Sequence, residues 1–254
     1  MGLNQLNFEG RDKVQVAIMR IQEFEPPEGY YLAFSGGKDS ITIYDLAVKA
    51  GVKFDAHYNM TGIDPPELVK FIRSNFPDVE NHRPPESIWN LIQTHGMPRR
   101  NGRWCCEKFK EIGGSGRFVI TGIRWAESSR RRRRRMVEVC MADKTKVFIH
   151  PVIDWETSDV WDYIHSEHLP YCSLYDEGFK RLGCVLCPMT SREQAYRDIQ
   201  RWPKIADAWK RAATRYWERQ TPGMKRFSSA EHFWQWWLSR EALGDHSQCV
   251  MFDN

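Results

Sequence analysis

No apolar run in the 254-residue chain reaches the roughly 18 residues that a membrane-spanning helix needs. The first residues, MGLNQLNFEGRDKV, carry charge where a signal peptide would be apolar. Both absences set the expectation of a cytoplasmic protein with no membrane partner. Internal repeats are missing, and so is low-complexity sequence beyond one arginine run. The seven cysteines are an odd count, and in a reducing compartment clustered cysteines read as metal ligands or redox groups before they read as disulfides. Excess charge of one sign is also missing from most of the chain. The net charge of +4 comes from Arg130 to Arg135, without which 31 basic residues face 33 acidic ones. The body is near neutral with one intense basic spot, so contact with a polyanion is expected to be local.

What is present begins with Tyr30 to Ser40, YYLAFSGGKDS, followed by ITIYDLAVKAG. A short apolar run, a Ser-Gly-Gly-Lys-Asp-Ser loop and a helix-like segment predict a strand, a phosphate loop and a helix. Adjacent glycines let the backbone turn sharply and approach an anion, while the helix-start amides and the Lys38 ammonium supply positive potential. The spacing fits neither G-x-x-x-x-G-K-[ST] nor G-x-G-x-x-G.

Upstream, Val14, Val16, Ile18, Met19 and Ile21 predict an amphipathic helix over 12–23, stopped by Pro26-Pro27. Downstream, FDAHYNM predicts a strand and TGIDPPELVKFIRSNFP a turn and helix with proline near its first position. The strand-like VENHR, helical ESIWNLIQTHG and strand-like RFVITGI continue the alternation. That order predicts an α/β fold: a parallel twisted sheet flanked by helices, with ligands at the carboxyl ends of the strands. Asp64 and Arg124 stand at such ends. Asp64 reads as a nucleoside or metal contact, or as an acidic turn residue capping the next helix. TGIRWAESSR places Arg124 where its guanidinium can grip phosphate or sulfate bidentately.

S-G-G-K-D-S, I-D-P-P-E-L and G-I-R-x-x-E-S-x-x-R together resemble the phosphoadenosine phosphosulfate reductase family, within the PP-loop superfamily of adenine nucleotide alpha-hydrolases. The resemblance runs from about Tyr30 to Pro188. It implies that Ser35, Gly36, Gly37, Lys38, Asp39 and Ser40 hold phosphates, with Mg2+ on Asp39. It also implies that Asp64 and Gly122 bind the nucleotide, and that Arg124, Glu127 and Arg130 line the reacting end.

Cys105-Cys106 and Cys184-x-x-Cys187 form two pairs, enough to close a [4Fe–4S] cluster or a structural zinc site. C-C followed by a distant C-x-x-C-P resembles the cluster pattern of assimilatory sulfonucleotide reductases. Adjacent thiolates suit a cuboidal cluster better than tetrahedral zinc. Cys172 is the substitute ligand if Cys105 or Cys106 is not one. Cys140 reads as core. Tyr175, Asp176 and Lys180 are candidates to face the cleft, whereas His150, His165 and His168 read as satisfied or solvated.

The rest of the arginine run, Arg131, Arg132, Arg133, Arg134 and Arg135, reads as a solvated segment or as a contact for nucleic acid or an acidic partner. From Ser191 the composition becomes helical and tryptophan-rich, with Trp202, Trp209, Trp217, Trp234, Trp236 and Trp237 read as core and base stacking as the alternative. Two domains are expected: a nucleotide-binding α/β domain with the cysteine cluster over 1–190 and a helical extension over 191–254.

Two departures from the family divide the functional readings. True reductases carry a nucleophilic cysteine in an E-C-G-L-H tail, whereas this tail reads HSQCVMFDN, leaving Cys249 supported by position alone. Reductases also commonly degrade the phosphate loop, and here it is intact, which goes with ATP. The leading reading is therefore an ATP-pyrophosphatase-like enzyme that adenylates a substrate, nucleic acid among the candidates, for sulfur transfer from a sulfur donor. The alternatives are a reductase of adenylyl sulfate or its 3′-phosphorylated form, fed by an electron donor and releasing sulfite, and a non-catalytic nucleotide-binding module. The oligomeric state is open.

Overall fold

The structure, a computed structural model, describes residues 12–241. Asp12 accepts the Val14 amide at 2.8 Å and so caps α1 (Lys13–Glu23). There follow β1 (Tyr30–Phe34), α2 (Lys38–Ala50), β2 (Phe54–Asn59), α3 (Pro66–Asn75) and β3 (Glu80–His82). α2 stops where Gly51 takes φ 69°, a left-handed turn that glycine adopts without a Cβ clash. α3 opens on Pro66, whose missing N–H would have had no helical partner. Next come α4 (Ile88–His95), α5 (Trp104–Phe109), β4 (Phe118–Ile120), β5 (Val137–Val139), β6 (Val147–Ile149) and α6 (Thr157–Ser166). α7 (Arg192–Arg201), α8 (Pro203–Arg219) and α9 (Ala230–Ser239) end the described chain.

The six strands form one sheet in the order β3-β2-β1-β4-β6-β5, parallel except for β5, which runs antiparallel to β6. This is the α/β sheet the sequence predicts, with one addition. β6 and its hairpin-like pairing with β5 carry no strong sequence signal, because VFI is three residues long and the loop before it is polar. In the parallel part, Leu32 pairs with Ala56 and with Ile120, so β1, β2 and β4 end side by side. The loops leaving them are 35–37, 60–65 and 121–124, and they gather at one edge of the sheet, where parallel sheets bind ligands.

The chain divides into two compact units. The first takes in described residues 12–85 and 106–184, with the sheet, α1, α2, α3 and α6. Its core packs Leu32, Ile41, Leu46, Ile72 and Ile120, all at most 1% exposed, burial worth about 25 cal/mol for each Å2 of apolar surface. The second takes in 86–105 as well as 185–241, so the segment around α4 packs with the C-terminal helices rather than with the sheet. There Trp209 stacks on Trp237 at 5.0 Å and meets Trp89 edge-on at 5.5 Å. Trp202, Trp209, Trp234 and Trp237 are buried, while Trp217 and Trp236 are half-buried. Core packing therefore accounts for most of the tryptophans.

Candidate functional site

Ser35 to Gly37 form the turn between β1 and α2. Gly36 takes φ 68°, and a Cβ on it would lie 2.6 Å from Ile72, so α3 packs against a position that only glycine fills. The turn is fastened from within. Ser40 Oγ donates to the Gly37 carbonyl at 2.9 Å and accepts the Ser35 amide at 3.2 Å. α2 has no side-chain cap of its own; instead the Tyr175 hydroxyl accepts the Lys38 amide at 2.9 Å. Burial raises the Tyr175 phenol, with the Asp39 charge adding to the shift, so it stays protonated. Lys38 is only 6% exposed, and its ammonium pairs with Asp39 at 2.9 Å.

Asp39 is held on its other oxygen by Arg124. The Arg124 Nε donates to Asp39 Oδ1 at 2.7 Å, and its Nη1 donates to the Trp155 carbonyl at 3.1 Å and to Thr157 Oγ1 at 3.4 Å. Arg124 is 1% exposed, so the guanidinium is fixed rather than swinging. Gly122 makes this approach possible by bringing the strand end against the first turn of α2. Lys38, Asp39 and Arg124 thus form a plus-minus-plus line at the base of the loop.

Of the other predicted residues, Glu127 turns inward along the chain. Its carboxylate accepts the Arg124 amide at 2.9 Å and pairs with Arg131, so it holds the end of the Arg124 loop. Arg130 is exposed beside the next turn. Asp64 is 9% exposed and accepts the Thr61 amide at 2.7 Å. It closes its own turn; the helix after it is capped by Pro65 without a side-chain bond. Tyr58 is buried beside Asp64, and burial with that carboxylate raises its phenol. The Cys184 thiol lies 3.6 Å from Thr61 Oγ1, so the 60–65 loop carries both Asp64 and a neighbour of Cys184.

The cysteines divide by unit. Cys106 and Cys184 belong to the first, Cys105 and Cys187 to the second. Cys105 and Cys106 are consecutive in α5, and both are half-buried. The C-x-x-C turn is built tightly: Leu186 takes φ 59° and donates its amide to Asp198 at 2.8 Å. Trp209 Nε1 donates to the Val185 carbonyl at 3.2 Å, and Arg240 donates to the Leu186 and Cys187 carbonyls at 3.2 and 3.3 Å. Burial pushes the Arg240 guanidinium down to about 10, with neighbouring Cys187 acting in the opposite direction, and it remains charged at neutral pH. Cys172 is buried within the first unit, and burial raises its thiol. Cys140 is half-buried rather than core. Cys249 lies outside the described residues.

The arginine run is folded. Arg131–Arg133 form a turn of 3-10 helix, Arg131 pairs with Glu127 and Arg134 with Glu138, and Arg134 lies 5.7 Å over the Phe148 ring. Arg130, Arg132, Arg133 and Arg135 are exposed. The sequence offers Tyr175 as a candidate to face the cleft but not its role as acceptor of the Lys38 amide, because 137 positions separate the two. Asp176 and Lys180 are exposed, as are His165 and His168, while His150 is fully buried against Thr121 at 2.7 Å.

A profile of the phosphoadenosine phosphosulfate reductase domain matches residues 29–190, the span that holds the loop, Arg124 and the cysteine pairs. The chain belongs to the phosphoadenosine phosphosulfate reductase family. An adenosine 5′-phosphosulfate reductase of Geobacillus kaustophilus is 34% identical over 183 residues, which are 67% of this chain and 77% of that protein. An uncharacterized protein of Methanocaldococcus jannaschii is 30% identical over 227 residues, or 83% of this chain and 46% of that protein. The chain spans about half the length of that relative and of a second Methanocaldococcus jannaschii protein, of which it covers 51%. Among solved structures, a phosphoadenylyl-sulfate reductase from Candida auris in a phosphate complex aligns with a TM-score of 0.49 at 19% identity, covering 72% of this chain and 98% of that one.

Proposed function

We propose that this family member is an enzyme that seats the phosphate groups of an adenine nucleotide in the Ser35–Ser40 loop and acts on a sulfonucleotide, adenylyl sulfate or its 3′-phosphorylated form. The observation that carries the reading is the fixed Lys38–Asp39–Arg124 line at the base of the loop. It holds two cations beside the loop that would receive the phosphate and sulfate charges of such a substrate. The name of the Geobacillus kaustophilus relative supports the same substrate class. A thiolate attacks the sulfur of the sulfate to form an S-sulfonate, the phosphosulfate bond breaks with AMP or adenosine 3′,5′-bisphosphate as leaving group, and a dithiol reductant supplies two electrons that restore the thiol and release sulfite. Cys249 is the candidate for the attacking thiol.

Cys105, Cys106, Cys184 and Cys187 are the thiols that would hold a [4Fe–4S] cluster, a donor set whose chemistry suits iron. When bound, the cluster would supply local order to the segments that carry its four cysteines. The residues to about 190 would then work as the catalytic segment and those after it as a helical extension.

A second reading rests on the intact loop. Ser35, Gly36, Gly37 and Ser40 retain the hydroxyls and glycines that cradle a leaving pyrophosphate, which favours ATP-dependent adenylation of an acceptor ahead of sulfur transfer, with Mg2+ on Asp39.

Anaerobically purified protein, incubated in separate tubes with the two sulfonucleotides plus a dithiol and with ATP plus nucleic acid, decides between them. Sulfite release that is lost in Lys38→Ala, Arg124→Lys and Cys249→Ser is expected. Pyrophosphate and AMP release in the second tube alone would replace the reductase with the adenylating enzyme. Nucleotide binding unchanged by Lys38→Ala and Arg124→Lys would overturn both.

A further inference from the structure

The parallel pairing of β2 with the edge strand β3 brings together residues about 25 positions apart in sequence. His57 lies opposite Glu80, and Asn59 opposite His82. His57 Nδ1 faces His82 Nε2 at 2.7 Å, and Glu80 Oε2 lies 3.5 Å from the first and 3.7 Å from the second. These three separations define a point about 2 Å from all three atoms, the length of a zinc–nitrogen or zinc–oxygen bond. A small rise of the ion out of their plane leaves a fourth position toward solvent.

The surroundings fix the ligand atoms. His57 donates from Nε2 to Asp55, which leaves the Nδ1 lone pair pointing at the site. Asp55 is itself locked by Arg117, through bonds of 2.8 and 2.6 Å. A carboxylate behind a ligating histidine is the arrangement that sets tautomer and ring orientation in metal centres. The Tyr31 ring stacks on His57 at 4.0 Å and 9°, and His57 on His82 at 5.0 Å, so both imidazoles are held in plane. The His57 side chain is 9% exposed, whereas His82 is 41% and Glu80 62%, which gives an ion a route in.

We propose that His57, Glu80 and His82 form a site for a divalent first-row transition ion, of the zinc or cobalt kind, distinct from the cysteine pairs. Two imidazoles and one carboxylate select such ions over magnesium or calcium, which prefer oxygen shells. Bound there, the ion ties the three-residue edge strand β3 to β2, where few ladder bonds hold it. The site shares no residue with the loop at Lys38 and does not depend on the reaction proposed for it.

The test is titration of the full chain, purified anaerobically, with Co2+ followed by visible absorption and with Zn2+ followed by calorimetry. One equivalent of Co2+ is expected to give ligand-field bands without a sulfur-to-cobalt charge-transfer band. Glu80→Gln and His82→Ala, both on the exposed edge and so harmless to folding, should remove that equivalent. Asp55→Asn should weaken it about 10- to 100-fold. Zinc should raise the melting temperature of the parent protein and leave that of His82→Ala unchanged. A charge-transfer band that survives His82→Ala would place the ion on cysteine and overturn the proposal. So would Co2+ affinity that is the same in the parent, Glu80→Gln and His82→Ala, or an absence of binding, which would leave a histidine–histidine hydrogen bond.

Discussion

Gly122 lies so close to Asp39 that a Cβ on residue 122 would stand 2.6 Å from the Asp39 carbonyl oxygen and 2.9 Å from its Cβ. The neighbour is helix backbone, which cannot swing aside. Gly122→Ala therefore pushes the end of β4 away from the first turn of α2 and with it Arg124 from Asp39. The expected result is a loss of about 1–3 kcal/mol in stability, as for other overpacked sites. Nucleotide affinity should fall at least tenfold, because the Lys38–Asp39–Arg124 line depends on that approach. Chemical denaturation and calorimetry read the two effects separately. Unchanged nucleotide affinity would detach Arg124 from binding.

His150 carries a pH dependence into the fold. It is fully buried between Thr121, Glu138 and Arg134, and burial pushes it down to about 4, with Arg134 acting in the same direction and the Glu138 hydrogen bond opposing. Its folded value lies below the ordinary 6.5, so the unfolded chain binds the proton more readily. Stability is then full above about pH 6.5 and falls as pH drops toward 4. Between pH 7 and pH 5 this histidine alone should remove about 2 kcal/mol. Urea midpoints at the two pH values check it, and His150→Gln should flatten the difference by that amount.

The sequence was most informative where one residue type has one physical use. Gly36 and Gly37 mark a turn that few other residues can make, Gly51 ends a helix, and Pro66 starts one, so the order and type of β1, α2 and α3 are readable, although α2 begins at Lys38, three residues before the helix-like run from Ile41. Arg124 was readable as a fixed cation because a strand end precedes it. What escaped is what the fold brings together across long separations. Nothing near Lys38 announces that Tyr175 will accept its amide. Nothing in VENHR announces that parallel pairing will set His82 against His57. The segment 86–105 reads as one more unit of the α/β alternation, yet α4 packs on α8, where Gln93 Nε2 donates to the Ala212 carbonyl at 3.2 Å. The motif assigns Glu127 to the reacting end, and nothing in the sequence announces its partners in the fold, the Arg124 amide and Arg131.

The arginine run divides into two classes. Arg134 pairs with Glu138 and covers the Phe148 ring, whereas Arg132, Arg133 and Arg135 are exposed. Arg134→Ser should cost about 1 kcal/mol of stability, from the lost pair and stem packing. The triple replacement of Arg132, Arg133 and Arg135 by Ser should stay within about 0.5 kcal/mol. If the run contacts nucleic acid, that triple variant should also reduce the slope of log affinity against log salt by about 2–3 on single- or double-stranded oligonucleotides. An unchanged slope would remove nucleic acid as its partner.

Tyr175 supplies the last prediction, because its hydroxyl occupies the Lys38 amide at 2.9 Å, the group that a phosphate oxygen would need at the start of α2. Binding must break that bond, so the free protein holds its loop at the ligand's expense. Tyr175→Phe leaves the amide without its acceptor in the free state, and stability should drop by about 1 kcal/mol. The same loss no longer has to be met on binding, so affinity for inorganic pyrophosphate or a nucleotide should rise about fivefold. Calorimetry with pyrophosphate and a melting curve measure the two changes on one sample. A fall in affinity would show instead that the hydroxyl stays in the site and itself donates to the bound phosphate.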